Sequence, residues 1–540
     1  MSTTDGFHHN HPPDGEMPPD GVLAGQAGQA GEKEKADSAT DQTLSPEEKR
    51  YKEQQAIPKT LPELKRVLEE QIGLGTSFDI VKHEMVFAGK PSAFVYVNGM
   101  VKDDILTDII MRLSYLADGA LRHQPVQTMI EQYIPHIQVS KASSMNDVIS
   151  RVLVGNAALF VENEDTAITL DVRTYPIRSI TEPDTERVVR GAKDGFVETL
   201  LTNIMLIRRR LKDPRMKFEL VEVGKRSKTN VCIAYVNDIA DMDLVESVRD
   251  KVKGVTIDGI PLADKQLEEI ILGKNWNPYP LVRYSERPDV VAAHMLEGHV
   301  VLMVDTSPTA IILPATFFHH CQHAEEYRHT PFIGTYLRWV RYIGIWASLF
   351  LLPLWFLMVM NPELKPAGLE FLGPQEEGKL PLLLQFVIVE IGVDMMRMAA
   401  VHTPQPIAVA MGLVAAILIG DIAVKTGLFV NEVILYMAVA SIGMFATPSY
   451  ELGLANRIVR LALLVLAAAF KVPGLIIGAT LWVIMLALQR SYNSPFLWPF
   501  IPFHLKGLIS LIIRKPVQWD IERPSITKAY DSTRQPRKSN

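Results

Sequence analysis

The sequence comprises 540 residues with a formal net charge of −6 at pH 7 and 48% hydrophobic residues. This length has room for several domains, and the acidic balance excludes nucleic-acid binding driven by bulk positive charge, so we expect no nucleic-acid partner. The two cysteines, Cys232 and Cys321, are too few for a disulfide framework and are typical of a reducing compartment.

Residues 1–57 have the composition of a disordered N-terminal tail. They include the low-complexity stretch AGQAGQAGEKEK, and such a segment cannot bury enough apolar surface to offset the entropy of ordering. The first residues lack the basic and then apolar pattern of a cleaved signal peptide, so we expect the N-terminal part to stay in the cytosol.

Residues 58–180 and 181–335 alternate short β-rich runs with amphipathic patterns, which predicts two cytosolic α/β subdomains. The run AFVYV at 93–97 is typical of a strand, DDILTDIIMRLSYL at 103–116 predicts a helix, and the apolar runs within 157–172 predict a hairpin.

The two subdomains share a repeated pattern. VLVGNAALFVENEDTAITL (152–170) aligns with MLEGHVVLMVDTSPTAIIL (295–313) at an offset of 143, which places Gly155 over Gly298. Upstream, YVNG at 96 aligns with YVND at 235 at an offset of 139. Chance similarity of strand-turn-strand segments is the alternative, but two nearly equal offsets favour one duplicated plan.

The segment between the two patterns predicts a connecting helix. Pro183 and Glu186 have the spacing of a helix start, two glycines suggest a bend, and residues 196–211 predict a long amphipathic helix. Arg208, Arg209 and Arg210 at its end could clamp an anion. A solvated helix end, with the arginines near the last carbonyls, is the favoured interpretation.

Residues 336–490 predict an α-helical transmembrane domain of about five or six segments. Apolar runs at 342–360, 382–400, 407–424 and 429–447 are each long enough to span. The last run, 458–489, is interrupted by Pro473-Gly474 and predicts two short segments that return the chain to the cytosol. The basic flank before the first span favours a cytosolic N-terminal half, and the loop 361–381 is then external.

The remaining residues, 491–540, predict an interfacial helix and a cytosolic C-terminal tail. Residues 496–515 mix aromatic, proline and basic residues, which is typical of a helix lying at the membrane surface. Both termini of the chain are therefore expected in the cytosol.

Three ionisable residues interrupt the second apolar run. Glu390, Asp394 and Arg397 have i, i+4 and i+7 spacing and share one helix face. A charge near the bilayer centre costs roughly 2.5–3.5 kcal/mol on insertion scales, so this face must turn away from lipid. A polar pathway or gate is favoured over the alternative, an interhelical ion pair that fixes packing.

No catalytic motif is evident: the sequence has no phosphate-binding glycine loop, no HExxH and no nucleophile elbow, so we expect neither an enzyme nor a cofactor. The best metal candidate is His319 and His323 with Glu326, which have a spacing that can hold Zn²⁺. A packing and solvation role beside the membrane is favoured for this set, and no metal site is predicted.

The chain resembles the A-subunit family of bacterial spore germinant receptors (the GerA type) from about residue 60 to 515. The resemblance rests on EPDTE with Glu186, on Arg190-Gly191 and Gly195, on Arg209 in the arginine run, on GKRSKT with Arg226 and on VDTSP with Asp305. The sequence QHAEEYR (322–328) favours the stage V sporulation protein AF branch. Thr306 stands where the family commonly has glycine.

This resemblance implies a multi-pass protein of the spore inner membrane whose oligomers are thought to form ion channels that open early in germination. Glu390, Asp394 and Arg397 match charged positions of the family's second segment, where Gln385 replaces a glutamate. We expect Glu390 to form a cation-attracting ring, while Arg397 neutralises Asp394.

The expected partners are further copies of the chain, membrane lipids and other spore membrane proteins. A secondary transporter and a non-conducting scaffold that organises receptors are the alternative functions.

Overall fold

The computed structural model describes residues 56–136, 138–174, 183, 186–273, 276–366, 368, 373–376, 378–402, 412–414, 417, 422–492 and 494–534. The predicted tail therefore lies outside the described residues, apart from its last two positions. The predicted segment 407–424 lies largely outside them as well.

Two five-stranded antiparallel sheets form the N-terminal half. The first repeat contains α1 Leu61–Ile72, β1 Ile80–Phe87, β2 Lys90–Val97, α2 Asp103–Ser114, α3 Pro125–Thr128 with a π turn Met129–Tyr133, β3 Val139–Ala142, α4 Met145–Val152, β4 Ala157–Val161 and β5 Ala167–Leu170. The second repeat contains α5 Leu200–Arg210, β6 Met216–Val223, β7 Thr229–Val236, α6 Met242–Lys253, α7 Ala263–Leu272, β8 Arg283–Ser285, α8 Pro288–Leu296, β9 Val300–Val304 and β10 Ala310–Leu313.

The predicted common plan is confirmed by strand order and register. The sheets run β1-β2-β4-β5-β3 and β6-β7-β9-β10-β8. Ser92 pairs with Val161 in the first sheet, and Val231 pairs with Val304 in the second, so both members shift by the predicted offsets of 139 and 143.

The two repeats also share backbone conformation at equivalent positions. Gly155 and Gly298 both have positive φ, at 106° and 95°. The β4–β5 and β9–β10 turns each contain a non-glycine residue in the left-handed region, Asn163 at φ 65° and Thr306 at φ 71°.

Each sheet is covered on both faces by amphipathic helices. In the first repeat, α1 and α4 pack on one face and α2 on the other. In the second, α5 and α8 share one face, and α6 and α7 cover the opposite one. The predicted connecting helix is therefore the first helix of the second repeat and contributes to its core.

The predicted bounds of that helix were wrong. Residues 186–199 form no helix, and α5 begins only at Leu200. Asn203 explains part of this, because its side chain both accepts from the Val197 N–H and donates to the Val197 carbonyl, which holds the preceding segment in an irregular conformation.

The solvated end predicted for the arginine run was wrong for Arg208. Its side chain is fully buried and donates to Asp79 of the first repeat, with 2.7 Å between Nη2 and Oδ2. Arg210 pairs with Asp194 at 2.6 Å, and Arg209 lies exposed between them.

The C-terminal half is helical. It contains short 3₁₀ turns at His319–Cys321 and Ala324–Arg328, α9 Pro331–Trp346, a π turn Ala347–Leu351, α10 Leu352–Met360, α11 Leu382–His402, α12 Ala423–Lys425, α13 Asn431–Phe445, α14 Tyr450–Leu488, β11 Arg490–Ser491, β12 Ser494–Pro495 and α15 Leu505–Ile512. Where α9 crosses α13, Gly344 and Gly443 bring the two backbones into contact, because a Cβ on Gly443 would lie 2.2 Å from the Gly344 carbonyl oxygen.

Two helical stretches among the described residues are long and apolar enough to cross a membrane, Pro331–Met360 and Tyr450–Leu488, and the most apolar 18-residue window of each has a mean hydropathy of 2.2. The first begins eleven residues before the predicted span. The apolar helix α13 is shorter, and α11 carries three charges, so the number of membrane segments stays a prediction.

The predicted break of the last apolar run is present, two residues earlier than expected. Lys471 has non-helical angles, φ 56° and ψ −136°, just before Pro473. The two arms of α14 then pack against each other, since a Cβ on Gly478 would meet Leu463 and Leu466 within 3 Å. A straight helix of 39 residues would measure about 58 Å, about twice the bilayer core, whereas each arm is near one bilayer thickness or less.

The predicted surface helix is shorter than expected. Only Leu505–Ile512 is helical, because Pro499 and Pro502 lack the N–H donors that a helix needs. The helix keeps an apolar exposed side at Leu505, Ile509 and Ile512.

Candidate functional site

A buried charge network lies in the C-terminal half, between α11, α14 and the π turn after α9. Glu390 of α11 is only 2% exposed, and its carboxylate accepts from both Arg457 and Arg460 of α14. Arg457 also donates to the backbone carbonyl of Glu390. Two guanidinium groups on consecutive turns of one helix thus hold a single carboxylate of another.

The network extends in both directions from Glu390. Arg460 donates to the Ser348 carbonyl at 2.7 Å, and Ser348 lies in the π turn. Such turns are frequent at functional sites because they displace carbonyls from the regular helical pattern. On the other side, Arg457 reaches Asp394, which also accepts from Arg397 at 3.0 Å.

The prediction that Glu390 is the less compensated acid was wrong. Glu390 has two arginine partners and is buried within one chain, whereas the Asp394 side chain is 39% exposed. Arg397 pairs with Asp394 as predicted. The five groups comprise two acids and three arginines, so the network carries a formal excess of positive charge. That sign does not favour a cation-attracting ring at Glu390.

Gln385 lies one and a half turns before Glu390 and is also fully buried. Its amide nitrogen donates to the Leu380 carbonyl at 2.7 Å, and its amide oxygen accepts from the Val430 N–H at 2.9 Å. Gln385 therefore joins the start of α11 to the segment before α13. Its partners are backbone groups, which satisfy the amide without any charge.

Helix α14, whose arginines bind Glu390, also contacts the second α/β repeat. Tyr279, which lies just before β8, donates to Asn456 at 3.0 Å and accepts from Trp482 at 2.6 Å. Asn456 precedes Arg457, and Trp482 lies on the returning arm of α14. Both arms of α14 thus contact one tyrosine of the N-terminal half, and the charge network begins one residue beyond that contact.

Two of the family-motif residues organise the second repeat. The Asp305 carboxylate accepts from the Leu200 N–H at 3.1 Å and so caps the start of α5. Glu186 is buried, accepts from Ser285 at 2.5 Å and lies 3.5 Å from Arg283. Both motif acids therefore fix elements of the second α/β repeat.

The other motif residues lie at turns or at the surface. Arg226 is exposed and pairs with Asp258 at 3.5 Å, and Arg190 is exposed as well. Gly191 has φ 125°, and a Cβ there would lie 2.6 Å from the Arg328 guanidinium carbon. Gly195 is buried beside the start of α5.

The structure separates the candidate metal ligands. Glu326 is buried between Arg338 and Arg341, whereas His323 accepts from the Glu325 N–H. His319 instead packs with His294 and His299, with ring centroids 5.8 and 5.2 Å away. Within the described part of the chain, no group of three His, Cys, Asp or Glu residues is placed to hold a metal.

Sequence reasoning missed Arg457 and Arg460. Arg457 lies one residue before the predicted apolar run 458–489, and Arg460 lies inside that run, where only the interruption at Pro473-Gly474 was recognised. The signal that could have found them is the same one that identified Glu390: charges three residues apart at the start of a long apolar helix.

The comparisons with known proteins identify the family of this chain. The family model described as the Bacillus/Clostridium GerA spore germination protein matches residues 66–526. The chain belongs to this family. It is 45% identical over 471 residues to stage V sporulation protein AF of Bacillus subtilis. The aligned region covers 87% of this chain and 96% of that protein.

More distant GerA proteins and one solved structure also match. Spore germination protein KA of Bacillus subtilis is 27% identical over 477 residues, covering 87% of this chain and 88% of that protein. The N-terminal domain of the A subunit of the Bacillus megaterium spore germinant receptor GerK3 matches with 26% identity and a TM-score of 0.39, over 48% of this chain and 97% of the crystallised one.

Proposed function

We propose that this GerA-family germination protein is a subunit of an oligomeric ion channel of the spore inner membrane, and that it contributes to cation release early in germination. The buried network around Glu390 carries the proposal together with the family membership. Ionisable side chains inside apolar membrane helices are costly and are usually retained for a pathway or a gate. The proposal involves no catalytic step and no cofactor.

In this proposal Glu390 stabilises the closed arrangement of the helices and does not form a cation-attracting ring. Held by Arg457 and Arg460, it fixes α11 against α14 and the π turn. The exposed side of α11 is apolar, with Leu384, Ile391 and Met395 at 43, 54 and 61% exposure. Apolar constrictions close channels by dewetting, so a ring of such side chains from several subunits provides a closed gate that rotation of α11 would open.

In this proposal the N-terminal half controls the contact between Glu390 and its two arginines through α14. The Tyr279–Asn456 hydrogen bond places one contact of the second repeat directly beside Arg457. A displacement of this repeat shifts α14 and weakens the hold on Glu390. Both termini are cytosolic in this arrangement, and the loop 361–381 is external. Other spore membrane proteins, acting as partners, would supply the displacement.

Potassium flux from liposomes that contain the purified full-length protein tests the proposal. Glu390→Gln keeps hydrogen-bond acceptance but removes the charge that holds both arginines, so we expect a several-fold higher basal flux than for the unaltered protein. Glu363→Gln, in the exposed turn Pro362–Leu364, is the matched control and should leave the flux unchanged. Thermal unfolding must confirm that both variants are folded.

Two outcomes would contradict the proposal that the protein forms an ion channel. If neither the protein nor Glu390→Gln conducts any cation, the scaffold alternative gains support. If flux requires a substrate on the opposite side of the membrane, the protein is a carrier. The broken helix α14 favours that second candidate, because transporters bind substrates at interrupted helices.

A further inference from the structure

A large cleft lies between α15, the first half of α9 and the C-terminal segment 517–534. Its volume of about 790 Å³ is in the range of ligand sites. The C-terminal segment closes one side, because Arg523 donates to the Leu296 carbonyl at 2.8 Å and Thr527 to the Glu297 carbonyl at 2.7 Å.

Positive charge dominates the lining of this cleft. Six lysine or arginine side chains line it, against three aspartate or glutamate side chains. The acids are already engaged: Glu522 pairs with Lys506 at 2.9 Å, and both Glu297 and Asp520 pair with Arg534. The negative groups therefore do little to neutralise the remaining cations.

Three of the lining cations form no ion pair with any residue that the structure describes: Arg514, Lys515 and Lys528. Arg514 is 8% exposed, and its Nη atoms donate to the carbonyls of Tyr327 and His329. Its buried Nε atom has no hydrogen-bond partner among the described residues. A buried guanidinium without a counter-charge is costly unless an anion binds beside it.

The surroundings of the cleft are those of a membrane surface. The C-terminal carbonyls of α15 accept from Arg338 and Trp339 of α9, so this helix is held against the start of a membrane-spanning stretch. Trp519 lines the cleft and is 72% exposed, and Ile513, the residue before the lining residue Arg514, is 47% exposed. Exposed tryptophan and aliphatic side chains next to basic residues are typical of the headgroup region.

We infer that this cleft binds the phosphate headgroup of an anionic phospholipid. The headgroup phosphate lies among Arg514, Lys515 and Lys528, and the acyl chains extend along the exposed side of α15. Basic pockets on the cytosolic side of membrane helices recognise anionic headgroups in this way. A bound lipid would join the C-terminal segment, α15 and α9, and so would set how firmly the second repeat is held at the membrane.

Titration of the detergent-solubilised full-length protein with phosphatidylglycerol, phosphatidylcholine or inorganic phosphate, followed by native mass spectrometry, tests the inference. We expect phosphatidylglycerol to bind at least tenfold more tightly than phosphatidylcholine. The double variant Lys515→Gln/Lys528→Gln should lose most of that preference, because each basic residue contributes to headgroup attraction. Lys212→Gln, at an exposed lysine in the loop before β6, is the matched control and should retain it.

Equal binding of the two lipids would overturn the inference, as would an unchanged preference in a folded double variant. Displacement of phosphatidylglycerol by an equal concentration of inorganic phosphate would show that the cleft binds a free anion and not a lipid. Leaving Arg514 unaltered avoids a loss of folding, because its two carbonyl contacts stay in place.

Discussion

Arg208 of α5 and Asp79 ahead of β1 form a fully buried ion pair that joins the two α/β repeats, with 2.7 Å between the guanidinium nitrogen and the carboxylate oxygen. Ser77 completes the junction, because its hydroxyl donates to Asp79 at 2.8 Å and accepts from the Phe218 N–H at 3.0 Å. The two sheets are therefore connected through a charged, hydrogen-bonded core. The repeats form a single unit with little freedom to separate.

Removal of one partner of this pair should be strongly destabilising. Arg208→Ala leaves the Asp79 carboxylate buried without a counter-charge, and such losses cost about 3–5 kcal/mol. Thermal unfolding of the full-length protein in detergent measures the effect. Arg226→Ala removes an exposed partner from the Arg226–Asp258 pair and should cost less than about 1 kcal/mol. Equal losses for the two variants would mean that the buried pair contributes nothing beyond a surface contact.

Thr306 is held in a backbone conformation that suits glycine better. Its φ of 71° is in the left-handed region, which costs a side-chain-bearing residue about 1–2 kcal/mol and is least favourable for β-branched residues. Because glycine also loses more entropy on folding, Thr306→Gly should stabilise the protein by about 0.5–1 kcal/mol.

The equivalent turn of the first repeat supplies the control for this prediction. Asn163 occupies the equivalent turn position with φ 65°, and asparagine tolerates this region well. Asn163→Gly should therefore change the unfolding temperature little or lower it. A larger gain at Asn163 than at Thr306 would contradict the argument from backbone strain.

The N-terminal fold could largely be predicted because its strands and helices follow from sequence patterns within short segments. Short β-rich apolar runs predicted β2 and the β4–β5 hairpin, and the segments aligned at nearly equal offsets predicted the second copy of the plan. The partner of Glu390 could not be predicted, since nothing in the spacing of one helix indicates which distant arginines reach it. Arg208 was misjudged for the same reason: helix periodicity places a charge on a face, but tertiary contacts decide whether that face is covered.

Cysteine labelling tests the topology. The native thiols will not interfere, because Cys232 and Cys321 are both buried and burial raises the pKa of the Cys321 thiol to about 12. A cysteine introduced at Lys365 should react with an impermeant maleimide from outside intact cells. A cysteine at Arg490, just after α14, should react only after permeabilisation. The reverse pattern would contradict the proposed cytosolic location of both termini.

The histidines behind β10 should make the fold sensitive to acid. His294, His299 and His319 pack together beside Arg283, whose guanidinium nitrogen lies 3.4 Å from His294 Nε2. Burial lowers the pKa of His299 to about 4 and that of His320 to about 3, from an ordinary value of 6.5. The native state therefore keeps these imidazoles neutral at pH values where the unfolded chain protonates them.

The sign of the effect follows from proton linkage. Between pH 6.5 and about 4 the unfolded state binds more protons than the native state, so stability is complete above pH 6.5 and decreases as the pH falls. One such histidine contributes about 1.4 kcal/mol per pH unit in this window. Thermal unfolding between pH 7.5 and 5 should show this slope, and His299→Gln should reduce it. His83→Gln, on an exposed position of β1, should leave it unchanged. An identical slope in all three proteins would place the acid sensitivity outside the histidine cluster.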